Sequence, residues 1–170
     1  MNRQELRAVQ APLKDRYRED PSAAVIRLEA SGTLGEENVS CSVKTGQALV
    51  EAGLHPATGG DGTMACSGDM LLEALVACSG VTLGAVARSL GIDVRSGTVK
   101  ASGSLDFRGT LAVTKSAPVG FKDIRLEFDL DTDANPEELE TLYRLTKRYC
   151  VIYQTLIHPP PVELAAPASA

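Results

Sequence analysis

Hydrophobic residues recur at helical spacing in the first part of the chain. Over residues 1–22 the apolar positions are Leu6, Val9, Leu13 and Tyr17, at steps of three and four, which predicts an N-terminal helical arm. Pro12 falls within this pattern. We expect it to kink or split the helix, because proline has no amide donor and clashes with the preceding turn.

The next two segments alternate between apolar and polar residues. In residues 24–34 one face carries Ile26, Leu28 and Ala30, and the other carries Val25, Arg27 and Glu29. The Gly-Glu-Glu-Asn run at 35–38 predicts a turn, and residues 39–44 alternate again with Cys41 on the apolar face, so the two segments predict a β-hairpin. Residues 47–52 fit either a short helix or a third strand.

A long helix over residues 67–90 is the feature around which the chain is organised. Residues 74–87 contain no charge, so we expect this helix to be buried on most sides. Ser67 is predicted to cap its start, Asp69 suits the positive end of its dipole, and Gly91 is predicted to end it. A membrane span needs about 20 apolar residues. The uncharged run is shorter than that, so we expect a core helix.

Small residues line one face of this helix, at Ala77, Gly80, Gly84 and Ala87. Such a face allows close approach by a neighbouring element, for example a second helix. The glycine-rich loop before the helix, residues 55–66, lacks the Lys-Ser/Thr ending of a phosphate-binding loop. Its glycines more simply allow the backbone to lie close to the helix start.

The second half of the chain predicts two strands and a helix. Alternation runs from Val99 to Phe107, and again over residues 123–130, which form the clearest strand pattern in the sequence. Asn135-Pro136 begins a helix whose apolar stripe ends at Cys150. Residues 151–157 continue apolar, and the three prolines at 159–161 are expected to end any helix there. Residues 162–164 fit a last edge strand, and residues 166–170 are expected to be a frayed tail.

Composition narrows the possible functions. A chain of 170 residues fits one domain, and its net charge of -5 with no Trp excludes a basic, aromatic-lined surface for nucleic acid. We find no signal-peptide pattern, so we expect a cytoplasmic protein whose four cysteines are reduced. In that compartment a pair of thiols serves redox catalysis or metal binding more often than structure.

Four runs resemble one known family in order along residues 24–165: SGDMLLEALVACSGVTLGAVARSLGIDV, GSLDFRGTL, PVGFKDIRLEF and YCVIYQTLIHPPPVEL. The chain is similar to the osmotically inducible protein C and organic hydroperoxide resistance (OsmC/Ohr) family, which gives a domain over residues 23–165. In that family one cysteine within the central helix and one after the second helix perform the chemistry. By position these roles carry over to Cys78 and Cys150.

The resemblance implies an α+β fold with a curved antiparallel sheet around the central helix, in an intertwined homodimer. N-terminal strands would complete the partner's sheet, with two active sites at the interface. The implied reaction reduces an organic hydroperoxide to the alcohol without a cofactor. A Cys78 sulfenic acid forms and Cys150 resolves it to a disulfide, which a dithiol reductant of lipoyl type reduces.

The means of activating Cys78 is expected to differ from the family pattern. Peroxidase members carry an arginine in the N-terminal hairpin and a Pro-Glu pair at the helix start, where this chain has residues 35–38 and Ser67-Gly68-Asp69. Cys78 lies too far along its helix for the dipole to lower its pKa, so a cationic side chain is expected, with Arg27 as a candidate. Cys150, at a helix C-terminus, is expected to stay protonated.

Two other classes of function remain open from the sequence. The first is a non-catalytic protein that binds a small apolar ligand at the dimer interface. The second is a metal site drawn from Cys66, Cys78, Cys150, His55 and His158, although the spacing of these residues matches no paired metal motif.

Overall fold

The computed structural model of the chain describes residues 2–25, 32–34, 40–45 and 48–165. Short 3-10 turns, Pro21–Ala24 and Pro56–Thr58, precede the first strand and the long central helix. The described residues form an α+β fold with antiparallel sheets and a long central helix, as predicted. The helices and strands are α1 (Arg3–Glu19), β1 (Gly32–Leu34), β2 (Ser40–Thr45), β3 (Ala48–Gly53), α2 (Ser67–Leu90), β4 (Val94–Leu105), α3 (Phe107–Thr110), β5 (Phe121–Thr132), α4 (Pro136–Tyr149) and α5 (Val151–Ile157).

The N-terminal arm is one continuous helix, α1. The Asn2 side chain accepts the Glu5 backbone N–H at 2.9 Å, and the Glu5 carboxylate accepts the Asn2 N–H at 2.9 Å. These reciprocal bonds satisfy donors that a helix start otherwise leaves unpaired. Pro12 lies inside the helix, which continues to Glu19. Of the two outcomes expected of Pro12, the split is therefore wrong and the kink stays a prediction.

The first three strands form an antiparallel sheet in the order β1-β2-β3. Leu34 pairs with Cys41, and Cys41 pairs with Ala52 on the next strand. The pairing expected of the hairpin is confirmed, and residues 48–53 are a strand and not a helix. The turn at 35–38 and the alternating residues 26–31, with Arg27 among them, lie outside the described residues.

Two backbone hydrogen bonds tie this sheet to the start of the central helix. The Gly53 N–H bonds to the Ala65 carbonyl at 3.0 Å, and the Ala65 N–H bonds to the Glu51 carbonyl at 3.0 Å. Helix α2 then begins at Ser67 itself, so its N-cap lies one residue before the predicted cap. Cys66 occupies the N-cap position with an extended backbone and no side-chain cap bond, and Ser67 is already helical, so the prediction that Ser67 caps the helix is wrong.

The end of α2 agrees with its prediction. Gly91 has a φ of 81°, which favours glycine, and its N–H bonds to the carbonyls of Ala87 and Arg88. By length and composition α2 also passes as a membrane span, with a mean hydropathy of 1.9. Its Leu83, Val86 and Ala87, however, pack in a buried core cluster with Leu142 of α4, so it is the core helix of a folded domain.

Burial of α2 is one-sided within a single chain. Leu75 and Leu83 are buried, whereas Val81 on another face is 76% exposed, so the expectation of burial on most sides is wrong for the single chain. Gly80 of the small-residue face lies against a strand. A Cβ built on Gly80 would lie 3.6 Å from Val99 Cγ2 of β4. Within one chain, β4 therefore takes the place of the expected second helix.

The second half of the chain supplies a two-stranded sheet and two helices. Strands β4 and β5 pair along their length, with Val99 opposite Phe128. Asn135 caps α4 by accepting the Glu137 and Glu138 N–H groups, each at 3.0 Å, as predicted. Residues 162–164 form no strand, because no described strand pairs with them, and that prediction is wrong. The tail at 166–170 lies outside the described residues.

Candidate active site

The two cysteines singled out by the sequence come together in space. Cys78 lies in the middle of α2, and Cys150 lies at the junction of α4 and α5, both of which pack against α2. The two thiols are close enough for each to act on the pKa of the other. Cys150 is fully buried, whereas Cys78 is half-buried. The pair therefore combines one shielded thiol with one that solvent reaches in part.

A break between two helices positions Cys150. Its backbone has φ -75° and ψ 111°, which is extended. Its N–H bonds to the Thr146 carbonyl at 2.9 Å and closes α4, while its carbonyl accepts the Gln154 N–H at 2.9 Å and opens α5. One residue thus ends a helix and begins the next. The first N–H groups of α5 have no partner within their own helix and are free to face Cys78.

Hydrogen bonds to its sulfur lower the pKa of Cys78. Burial acts in the opposite sense and is the largest single influence. It is outweighed by the backbone N–H of Ile152, the Cys150 thiol, the backbone N–H of Val151 and the Thr82 hydroxyl, which together hold the pKa of Cys78 below its ordinary value. None of these groups is a charged side chain. Among the described residues these donors, and no cationic side chain, lower the pKa of Cys78. Arg27 lies outside the described residues, so the expected cation stays a prediction.

The pKa of Cys150, in contrast, is raised above its ordinary value. Burial is the main cause that raises the pKa of this thiol, and the neighbouring Cys78 adds to it. The N–H groups of Tyr153 and Ile152 oppose the rise without cancelling it. The expectation that Cys150 stays protonated agrees in direction. Its cause is burial, which penalises the thiolate, and not the helix dipole.

Hydroxyl groups on α2 are bonded to the helix itself. The Ser79 hydroxyl donates to the Leu75 carbonyl at 2.7 Å, and the Thr82 hydroxyl donates to the Cys78 carbonyl at 2.8 Å. Both are bonds to the residue four positions earlier, a common arrangement for helical Ser and Thr. The Thr82 hydroxyl is also one of the groups that act to lower the pKa of Cys78.

Cys66 and His55 have surroundings of their own. Cys66 precedes Cys78 by twelve positions on α2, a separation of about 18 Å at the helical rise. His55 stacks on Phe107 at 4.8 Å between ring centroids and accepts the Ala57 N–H at 3.0 Å. In the part of the chain that the structure describes, no three His, Cys, Asp or Glu residues are grouped as a metal site. The alternative of a metal centre thus has no assembled ligand set there.

An open cavity of about 990 Å³ lies between α2, β5, α4 and α5. Neither cysteine of the pair lines it. Its walls are mostly apolar, and among the residues that line it are Leu75, Leu126, Phe128, Tyr153 and Leu156. This volume and apolar lining suit a small apolar molecule.

Some groups at the site could not be found from the sequence pattern. The Val151 and Ile152 donors are backbone N–H groups, so no residue type marks them, and they reach Cys78 only because α4 breaks at Cys150. Thr82 carried a usable signal, because residues four apart share a helix face and position 82 follows Cys78 by four. Thr82 was nevertheless missed.

Comparison with known proteins agrees with this architecture. The family model described as OsmC-like protein matches residues 60–165. No curated protein sequence matches the chain. An OsmC-like protein from Mycoplasma pneumoniae is similar in structure at 16% identity and a TM-score of 0.66, over 79% of this chain and 89% of that one.

Two further structures have the same fold. An organic hydroperoxide resistance protein from Elizabethkingia anophelis matches at 17% identity and a TM-score of 0.64, over 80% of this chain and 91% of that one. One from Legionella pneumophila matches at 18% identity and a TM-score of 0.62, over 79% and 92%. At such identities the likeness establishes the fold alone. With the family model matching more than half of its length, the chain belongs to the OsmC-like protein family.

Proposed function

We propose that the protein is a thiol-dependent peroxidase that reduces organic hydroperoxides to alcohols, with Cys78 as nucleophile and Cys150 as resolving cysteine. The observation that carries this proposal is the pairing of two thiols whose pKa values move in opposite directions. A nucleophilic thiol needs thiolate character, and a resolving thiol must be held close by until the first step is complete. Names of the Elizabethkingia and Legionella relatives support hydroperoxide chemistry.

The first step oxidises Cys78. Its thiolate sulfur forms a bond to one oxygen of the hydroperoxide, the O–O bond breaks, and the alkoxide takes up a proton to leave as the alcohol. Cys78 becomes a sulfenic acid. The N–H groups of Val151 and Ile152 support this step, because donors to the sulfur raise the fraction of thiolate present before attack.

The second step joins the two cysteines. The Cys150 sulfur bonds to the Cys78 sulfur, the S–O bond breaks, and the oxygen leaves as water with the proton of the Cys150 thiol. A dithiol reductant, of lipoyl type by family analogy, then reduces the disulfide by two electrons. The cycle needs no bound cofactor, since the thiols carry both electrons.

We also propose a homodimer in the cytoplasm. The exposed apolar face of α2, where Val81 is 76% exposed, supports the dimer, because a partner would remove this surface from water. The small-residue face does not by itself require a second chain, since β4 covers Gly80.

An alternative is a non-catalytic protein that binds a small apolar ligand. The open cavity of about 990 Å³ favours this second candidate, since its walls are mostly apolar and exclude both cysteines of the pair. The peroxidase is preferred, because a paired nucleophilic and resolving thiol has no role in ligand binding alone.

Counting free thiols before and after one equivalent of cumene hydroperoxide tests the proposal. The chain has four cysteines, and the peroxidase should lose two thiols per chain and form one equivalent of cumyl alcohol. Cys66→Ser is the matched control, since it should also lose two thiols. An unchanged thiol count in a folded protein would exclude the peroxidase and favour the ligand-binding alternative.

A further inference from the structure

One buried hydroxyl lacks a hydrogen-bond partner. Thr146 on α4 is 1% exposed, and its Oγ1 makes no hydrogen bond to any described residue. Ser79 and Thr82 on the facing helix satisfy theirs by donating to the carbonyl four residues earlier. Thr146 makes no such bond, although one side-chain rotamer of a helical threonine lets the hydroxyl reach the carbonyl four residues earlier. Leaving a buried hydroxyl unpaired costs stability, so its retention calls for a reason.

The position of Thr146 relates it to the cysteine pair. Leu142, Thr146 and Cys150 are buried and recur at steps of four, on one face of α4. At one end of this face Leu142 packs in the core cluster with Leu83. At the other end Cys150 lies against Cys78. Thr146 is midway between them along α4, on the buried face of a helix that packs against α2.

We propose that Thr146 is a further catalytic residue, whose hydroxyl hydrogen bonds to the sulfenic oxygen of Cys78 and assists its departure when Cys150 attacks. This inference rests on the proposed function, since only a peroxidase places an oxygen on Cys78. Oxidation adds to a crowded site one oxygen that needs partners, and Thr146 has a free donor and a free acceptor.

Thr146 is chemically unchanged when the sulfenic acid is converted to the disulfide. A bond forms between the sulfurs of Cys150 and Cys78, and the S–O bond of the sulfenic acid breaks. The oxygen leaves as water, with the sulfenic hydrogen and the proton of the Cys150 thiol. Negative charge builds on that oxygen before the proton arrives, and the Thr146 O–H stabilises it by donating a hydrogen bond.

The test follows the two oxidation steps separately. Reduced protein is mixed with one equivalent of cumene hydroperoxide and quenched at intervals. Mass spectrometry then measures the dimedone adduct of Cys78 and the Cys78–Cys150 disulfide. Thr146→Val removes the hydroxyl at nearly constant shape, Thr146→Ser retains it, and Ser79→Ala is the matched control, because it removes a buried hydroxyl already bonded to the helix.

We expect Thr146→Val to form the sulfenic acid within about twofold of the wild-type rate but to convert it to disulfide at least about tenfold more slowly. Thr146→Ser should restore the conversion, and Ser79→Ala should leave it near wild type. The reduced Val variant should melt no lower than wild type, since it loses an unpaired polar group.

Two results would overturn the inference alone. One is disulfide formation in Thr146→Val at the wild-type rate. The other is equal slowing in Ser79→Ala, which would show a general effect of removing a buried hydroxyl. A wild-type protein that forms no sulfenic acid would overturn the proposed function and this inference together.

Discussion

The thiol of Cys150 lies close enough to Cys78, which is 72 positions earlier in the chain, to act on the pKa of Cys78. The break in helix at Cys150 brings more than its sulfur to this point, since the N–H groups of Val151 and Ile152 also face Cys78. One local feature therefore accounts both for the closeness of the two thiols and for the lowered pKa of the first.

The backbone donors can be tested by removing one of them. Val151→Pro deletes an N–H at the first position of α5, where proline is tolerated and the preceding Cys150 is already extended. Because that N–H favours the thiolate of Cys78, its loss should raise the Cys78 pKa. The rate of Cys78 alkylation by iodoacetamide, measured against pH, should then reach its midpoint at a higher pH.

Val151→Ala is the control for this measurement, since it changes the same exposed side chain and keeps the N–H. Its alkylation profile should coincide with that of the wild type. A profile for Val151→Pro that does not move from the wild-type midpoint would mean that the lowered pKa has another source, for example the cation that the sequence led us to expect.

The cap of α4 should matter for stability. Asn135 accepts two backbone N–H groups at 3.0 Å each, so Asn135→Ala should lower the free energy of unfolding by about 1 kcal/mol, measured by urea denaturation. Asn2→Ala is matched in chemistry, because Asn2 also forms a capping box. Its effect should be smaller, since the N-terminal arm adds little to the core cluster. Equal effects would mean that α1 and α4 contribute alike to the cooperative fold.

The proposed dimer predicts a sensitive position on α2. Val81→Glu should convert the dimer to a folded monomer, because burying an unpaired carboxylate at an apolar interface is unfavourable. Light scattering with size-exclusion chromatography measures this. Val113→Glu is the control, since Val113 is 68% exposed in the segment between α3 and β5. A wild-type protein that is monomeric at micromolar concentration would contradict the dimer.

Local signals explain what the sequence could predict. Asn135-Pro136 and Gly91 mark helix ends through their own backbone preferences, and the alternation over residues 123–130 matches the exposed and half-buried faces of β5. The strand expected at residues 162–164 was wrong because strand formation depends on a partner. The N-cap of α2 is Cys66 and not Ser67 because of the hydrogen bonds between Ala65 and β3. No local sequence pattern encodes these bonds.

The groups of the candidate active site also divide into those that the sequence predicted and those that it did not. Cys78 and Cys150 were found through resemblance to a family, and their positions on α2 and after α4 agree with what that resemblance implies. The activating donors were missed, because a backbone N–H leaves no trace in residue type. The assignment of chemical roles to the two cysteines stays a prediction.

Peptide mapping of cysteine variants after peroxide treatment tests those roles most directly. With one equivalent of cumene hydroperoxide, the wild type should form a Cys78–Cys150 disulfide. Cys78→Ser should consume no peroxide, whereas Cys150→Ser should react once and yield a Cys78 sulfenic acid that dimedone traps. Two results would contradict the mechanism: a Cys78 left unreacted, or a disulfide between Cys78 and Cys66. The Cα atoms of Cys66 and Cys78 are about 18 Å apart at the helical rise, whereas a disulfide needs about 4.4 to 6.8 Å.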